Sequence, residues 1–337
     1  MKDFKTIDEQ IQILLDRGLI INDIERAKLY LLSQNYYNII NGYANFFPHI
    51  GEKYSNGTNF DEITRLYTFE KEIKQAIFKS IIDVETHLKS IFIYYFAKTY
   101  KDIPYAYLNI DCYDKSKTLS VISTISTISR IIDKYKKDNN PNSIKHYIKN
   151  YQNVPIWVLS NYLDFGTLRY MLMLSTTNIQ NAVAKDMMSF IKQHIPNATI
   201  FTPEVMLSFI ENINDIRNIC AHNNRLIGFN CRRDCKYWSP LHDKYNISSK
   251  DTRRNVFSVL ISLQCFLSIP EYGTVQNKIR KQTNRLDNSL KTISINTILD
   301  ELGFPKAWHK NVKKYNIMLI KNLLYFEKVF LYDDKFN

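Results

Sequence analysis

Arg217 and His222, five positions apart in the stretch "NDIRNICAHNNRLIGF" (214–229), are the pair in this 337-residue chain whose types suit one reaction. Cleaving RNA without a metal requires a group that moves protons near neutral pH and a fixed cation that holds the phosphate as charge builds. Histidine and arginine meet those two needs. On an ideal helix five residues turn through about 500°, which leaves the pair about 140° apart. They share a face only where the helix ends or bends between them, or where Arg217 wraps back on its long stem. Asn223, Asn224 and Gly228 allow a helix end just past His222. A second reading stays open from the residues alone: a surface arginine followed by a histidine near a helix C-terminus.

Other side chains invite chemistry less strongly. A carboxylate on a neighbouring helix, such as Glu85, or Asp215 within the motif's own helix, has the chemistry to orient Arg217 or His222, yet carboxylates on amphipathic helices mostly face solvent. Neither receives a catalytic role. Cys231, Cys235 and His242 in "CRRDCKYWSPLH" have a Cys-x3-Cys spacing seen in structural zinc sites, without an evident fourth ligand. Ordinary reduced cysteines are the favoured reading, and zinc is not assigned. From Arg232 to Arg254 there are 7 Lys/Arg against 3 Asp/Glu, with Tyr237, Trp238 and Tyr245 interleaved. Cations that follow phosphates and aromatics that stack on bases are the ingredients of single-strand binding; a solvated face with its aromatics turned inward is the other reading. No Gly-rich phosphate loop, His-Glu-x-x-His or nucleophile elbow occurs, so neither a cofactor nor a catalytic metal is implied.

The elements that must position the pair are helical. In 64–98, Leu66, Phe69, Ile73, Ile77, Ile81, Val84, Leu88 and Ile91 recur every three or four residues and mark one apolar stripe. In 118–135, Ile122, Ile125, Ile128 and Ile131 recur in steps of three opposite hydroxyl residues. The stretch 154–175 reads as helical from Pro155, with a break near Phe165 and Gly166. Thr202, Pro203 and Glu204 predict the start of the helix that carries the motif. Another begins after Asp251 or Thr252 and carries Val256, Val259, Leu260, Leu263 and Leu267, and two more lie in "SINTILDELGF" and "NIMLIKNLLYFEKVF". Strand alternation is absent, so the expected fold is all-α, a helical bundle with additional N- and C-terminal helices. Polar stretches at 33–60 and 272–289 are the boundary candidates. The expected division is an N-terminal segment (1–60), a helical core (61–230) and a basic C-terminal region (231–337).

Charge adds direction. The net charge is +12, and residues 225–337 carry 20 Lys/Arg against 10 Asp/Glu, so ten of the twelve excess charges lie downstream of the motif. Such asymmetry points to a polyanion partner. Arg225, Arg232, Arg233, Arg253 and Arg254 are the candidate RNA-binding cations. Five cysteines without regular spacing imply no disulfide framework, no apolar run is long enough to span a membrane, and the acidic start is unlike a signal peptide. The expectation is a cytoplasmic protein.

Five blocks, taken in order, resemble the Abi family of bacterial abortive-infection proteins, of the AbiD and AbiF type: "YYNIINGYANFF" (36–47), "RLYTFEKEIKQAIFKSIIDVE" (65–85), "PIWVLSNYLDFGTL" (155–168), "IRNICAHNNRL" (216–226) and "LGFPKAW" (302–308). "IRNICAHNNR" also resembles the RNA-cleaving motif of HEPN domains, in which Arg and His are four to six residues apart and a polar residue follows the Arg; such nucleases occur in type VI CRISPR effectors. The resemblance implies a HEPN-like bundle and a metal-independent endoribonuclease of phage defence or a toxin system. It assigns proton transfer to His222, phosphate stabilisation to Arg217, a positioning role to Asn218 and backbone binding to Arg225. It also implies RNA as substrate, a homodimer with two copies of the motif when free of RNA, and in some relatives a cognate structured noncoding RNA. That last partner suits a rival reading, a non-catalytic RNA-binding protein. Two departures stand out. Asn224 occupies the place of the tyrosine that is adenylylated in related toxins, and Lys89 stands where an arginine is usual after Glu85.

Overall fold

The computed structural model describes residues 3–316 and is all-α. The expected helix in "NIMLIKNLLYFEKVF" falls outside the described residues apart from Asn316. In chain order the α-helices are α1 (Ile7–Asp16), α2 (Ile24–Gln34), α3 (Phe60–Thr99), α4 (Thr118–Lys137), α5 (Ser143–Tyr151), α6 (Ile156–Leu159), α7 (Phe165–Leu174), α8 (Thr177–His194), α9 (Pro203–Ala221), α10 (Ser239–His242), α11 (Val256–Ser262), α12 (Ile269–Asp287), α13 (Ile295–Glu301) and α14 (Trp308–Asn311). A two-stranded antiparallel hairpin, β1 (His49–Ile50) with β2 (Lys53–Tyr54), pairs His49 with Tyr54 and Ile50 with Lys53.

The 40-residue α3 is the axis of the fold. Asn59 caps its start by accepting the Glu62 N–H, and Leu66, Phe69, Ile73, Ile77, Ile81, Val84 and Leu88 are buried, as the stripe requires. Each such side chain contributes about 1.5–3 kcal/mol on full burial. Helices α8, α9 and α12 pack along it. One contiguous apolar core extends from Ile11 to Trp308.

Several expectations shift. In α4 the buried line is Val121, Thr124, Ile128 and Ile132, while Ile122 is half exposed. A strict step of three falls behind a helix of 3.6 residues per turn by about 60° each time, so the isoleucine row winds away from the core. The break in 154–175 lies at Leu163 and Asp164, because the Asp164 carboxylate caps α7 through the Thr167 N–H; Gly166 continues the helix. The helix expected after Asp251 or Thr252 starts at Val256, where Asn255 accepts the Ser258 N–H, and Leu267 lies past its end. The polar stretch 272–289 is mostly helical, in α12, with Tyr272, Val275, Ile279 and Leu286 buried.

Candidate active site

Thr202 caps α9 through the Val205 N–H and Pro203 occupies its first turn, so the helix begins where its sequence indicates. It ends at the motif. His222 is the C-cap, and Asn223 has φ 53°, the left-handed conformation asparagine tolerates better than most residues. The Asn224 N–H donates to the Ile219 carbonyl at 3.0 Å and the Asn223 N–H to the Cys220 carbonyl at 3.3 Å. This is a Schellman ending, in which a left-handed residue lets the chain satisfy the last carbonyls while turning sharply.

The chain beyond that turn is held by α3. Glu70, fully buried, accepts the backbone N–H groups of Leu226 and Ile227 at 2.8 Å each, and the Tyr43 hydroxyl donates to its other oxygen. Lys74, one turn further on, lies 3.2 Å from the same carboxylate and donates to Asn223 Oδ1 at 2.8 Å and the Asn224 carbonyl at 3.1 Å. Burial, and after it the Glu70 carboxylate, push the Tyr43 phenol upward, so it stays a donor. Beyond their mutual ion pair, the carboxylate has three donors and the ammonium two acceptors, which leaves little buried charge uncompensated.

Arg217 is partly buried, its guanidinium carbon 5.9 Å from the centre of the Phe78 ring on α3, and its Nη1 donates to Asn218 Oδ1 at 3.4 Å. His222 is exposed, and its ring makes no hydrogen bond among the described residues, while its backbone N–H donates to the Asn218 carbonyl at 3.0 Å. Arg217 thus lies within α9 and His222 at its C-cap, so the regular helix ends between them. Between them Cys220 has its thiol pushed up to about 12 by burial, so it stays protonated and is no competing nucleophile.

The sequence-predicted cations separate into two kinds. Arg225 is exposed and donates to the Gly42 carbonyl at 2.9 Å, and Arg232, Arg233 and Arg254 are exposed. Arg253 instead faces the protein, donating to the carbonyls of Cys235 (3.0 Å), Ser248 (3.2 Å) and Ser249 (3.0 Å). Trp238 is buried, with its indole N–H on the Ile200 carbonyl, and Tyr245 receives Gln264 Nε2 at 2.6 Å. Those two rings belong to the core.

Asp215 accepts the Arg232 N–H at 3.2 Å, and Glu85 pairs with Lys89 at 3.5 Å, one turn along α3. Cys235 Sγ lies 3.8 Å from His242 Nε2, whereas Cys231 Sγ faces the Asn212 carbonyl at 3.6 Å. Burial raises both thiols, Cys235 to about 12, and among the described residues no three His, Cys, Asp or Glu side chains gather as a metal-ligand set.

Glu70 and Lys74 were not singled out by sequence. Their signal is positional: the pair continues the stripe of Leu66, Phe69, Ile73 and Ile77, and charged residues within a buried face need partners.

The family described as Abi-like protein matches residues 29–228, a stretch that holds Glu70, Lys74, Arg217, His222 and Arg225 and ends before the basic segment 232–254. Neither a curated protein nor a solved structure matches the chain.

Proposed function

The chain belongs to the Abi-like protein family, and from that premise we propose that it is a HEPN-type endoribonuclease of a bacterial abortive-infection or toxin system, acting in phage defence. The observation that carries this reading is the anchoring of the motif. An exposed imidazole sits at a helix end whose following residues are tied to buried Glu70 and Lys74, and a partly buried arginine lies five residues earlier. Such a fixed backbone keeps a proton-transfer group and a phosphate-binding cation in place before substrate arrives.

In the proposed reaction the ribose 2′-oxygen attacks the adjacent phosphorus, the bond to the 5′-oxygen breaks, and the products end in a 2′,3′-cyclic phosphate and a 5′-hydroxyl. His222 takes the 2′-OH proton or gives one to the leaving 5′-oxygen. Arg217 carries the charge of the pentacovalent transition state, and Asn218, bonded to its guanidinium, orients it. DNA lacks the 2′-OH and is left intact. Because one chain carries a single Arg217 and a single His222 in this motif, two copies related by a two-fold axis supply both proton roles in the active species. The wider basic surface, including Arg225, Arg232, Arg233 and Arg254, holds the RNA backbone.

The test is incubation of purified protein with labelled single-stranded RNA and DNA in EDTA. RNA fragments bearing cyclic phosphate are expected, with DNA uncut. Retention of intact RNA would instead identify a non-catalytic RNA-binding protein, bound in cells to a structured noncoding RNA.

A further inference from the structure

Next to the motif lies a polar cleft of about 320 Å³ between two segments far apart in sequence. One wall is a π-helical turn, Tyr37–Asn41; the other is the post-motif loop with Asn223 and Arg225. Single π-turns are rare and cluster at functional sites, because the wider turn redirects side chains that a regular helix would point elsewhere. Here the turn follows Asn35, whose φ is 69° and whose side chain accepts the Tyr37 N–H at 2.9 Å.

The side chains presented form a matched set. Tyr37 is 69% exposed, a large ring with one face free. Asn38 donates through Nδ2 to the Gln34 carbonyl and keeps its amide oxygen available. The Asn41 amide makes no hydrogen bond among the described residues, so both its donor and its acceptor are available. Arg225 uses Nη1 to hold Gly42, which ties the two walls together and leaves most of its five N–H donors pointing outward. A free aromatic face, amides that offer both donor and acceptor, and a fixed cation match the three parts of a nucleotide: base plane, base edge and phosphate. The volume is at the small end of ligand pockets, roughly 300–1,000 Å³, and suits one unpaired nucleotide.

We propose that this cleft is a nucleotide subsite that takes one unpaired base of the RNA beside the scissile phosphate, stacked on Tyr37 and read by Asn38 and Asn41, with its phosphate on Arg225. Asn223, which lines the cleft, directly follows His222, so the bound base flanks the cut. The subsite gives the nuclease proposed above a base preference at one position, and it rests on that reading for the word "cut" alone; binding of the base does not depend on cleavage.

Two measurements test it. The first is the base preference around the cleavage site on a randomised single-stranded RNA pool, for the wild type and for Asn38→Ala, Asn41→Ala and Tyr37→Ala. A bidentate amide contact discriminates by about tenfold or more, so the ratio of best to worst base at one flanking position is expected to fall by about that factor in Asn41→Ala. The second is photocrosslinking of RNA carrying 4-thiouridine and 6-thioguanosine, with the attached peptides identified by mass spectrometry. Crosslinks within 37–43 are expected. Cleavage with an unchanged preference in all three variants overturns the subsite and leaves the nuclease standing. Crosslinks at 37–43 without cleavage overturn the nuclease and leave the subsite. Absence of both binding and cleavage in the wild type overturns the subsite, and so does occupation of the cleft by a second copy of the chain.

Discussion

Lys74 Nζ lies 2.8 Å from Oδ1 of Asn223, joining the long helix α3 to the left-handed residue that ends α9 across 149 positions of sequence. The lysine simultaneously compensates Glu70 at 3.2 Å, and Glu70 in turn receives Leu226 and Ile227. Structure and site are thereby coupled through one buried ion pair.

Lys74→Met leaves Glu70 buried without its cation and is expected to cost about 3–5 kcal/mol. Glu70→Gln should cost less, because an amide oxygen still accepts the two backbone N–H groups. The double variant should recover part of the lysine's loss, a coupling readable from denaturant melts of the four proteins. Strict additivity would show that the pair acts separately.

His222→Ala and Arg217→Ala are each expected to reduce RNA cleavage by orders of magnitude and to abolish toxicity on expression. His222 is exposed and Arg217 lacks a buried ion pair, so both melts should stay within about 0.5 kcal/mol of wild type. Comparable cleavage by His222→Ala at equal soluble concentration would falsify the nuclease assignment.

Changing Arg232, Arg233 and Arg254 together to Gln should weaken RNA binding. The slope of log affinity against log salt should become shallower by about 0.7 for each lost phosphate contact. Arg253→Gln should act differently, by lowering the melting temperature, because its guanidinium ties the carbonyls of Cys235, Ser248 and Ser249. An unchanged salt slope in the triple variant would place the RNA elsewhere.

Two histidines give the fold opposite responses to pH. His87 is raised, chiefly by its hydrogen bond with Glu271, with burial opposing; Nε2 is 3.4 Å from that carboxylate, and Asp83 adds to the effect. Its contribution is complete below the unfolded value of about 6.5 and is lost as pH rises through the folded value. His194 is lowered to about 4 by burial, its ring bonded to the Leu267 carbonyl at 2.8 Å, so its contribution is complete above about 6.5 and is lost as pH falls toward 4. Melting temperatures from pH 4.5 to 8.5 should therefore show His87→Gln with its deficit concentrated on the acid side. A deficit that grows toward alkaline pH would refute the assignment.

RNA-free protein should scatter light as a dimer of the 39.9 kDa chain. Mixing Arg217→Ala with His222→Ala should restore some cleavage if each composite site draws on both copies. Full activity of a strict monomer would rule out the two-fold site.

By itself the sequence determined the helical class, the course of α3 and the start of α9, since these depend on local quantities: apolar spacing near 3.6 residues and a Thr-Pro-Glu cap. It also brought out Arg217 and His222, because their types match a reaction. It could not decide which row of α4 faces inward, because a step of three fits two faces and only the neighbours choose. Nor could it assign Arg253 to holding backbone carbonyls, since that role depends on where the carbonyls of 248 and 249 turn. The tertiary structure alone decided the partners of Glu70 and Lys74 and the cleft between Tyr37 and Arg225. The contacts to the post-motif loop join residues more than a hundred positions apart, and a buried charge reveals its purpose only when the groups that neutralise it are brought to it by the fold.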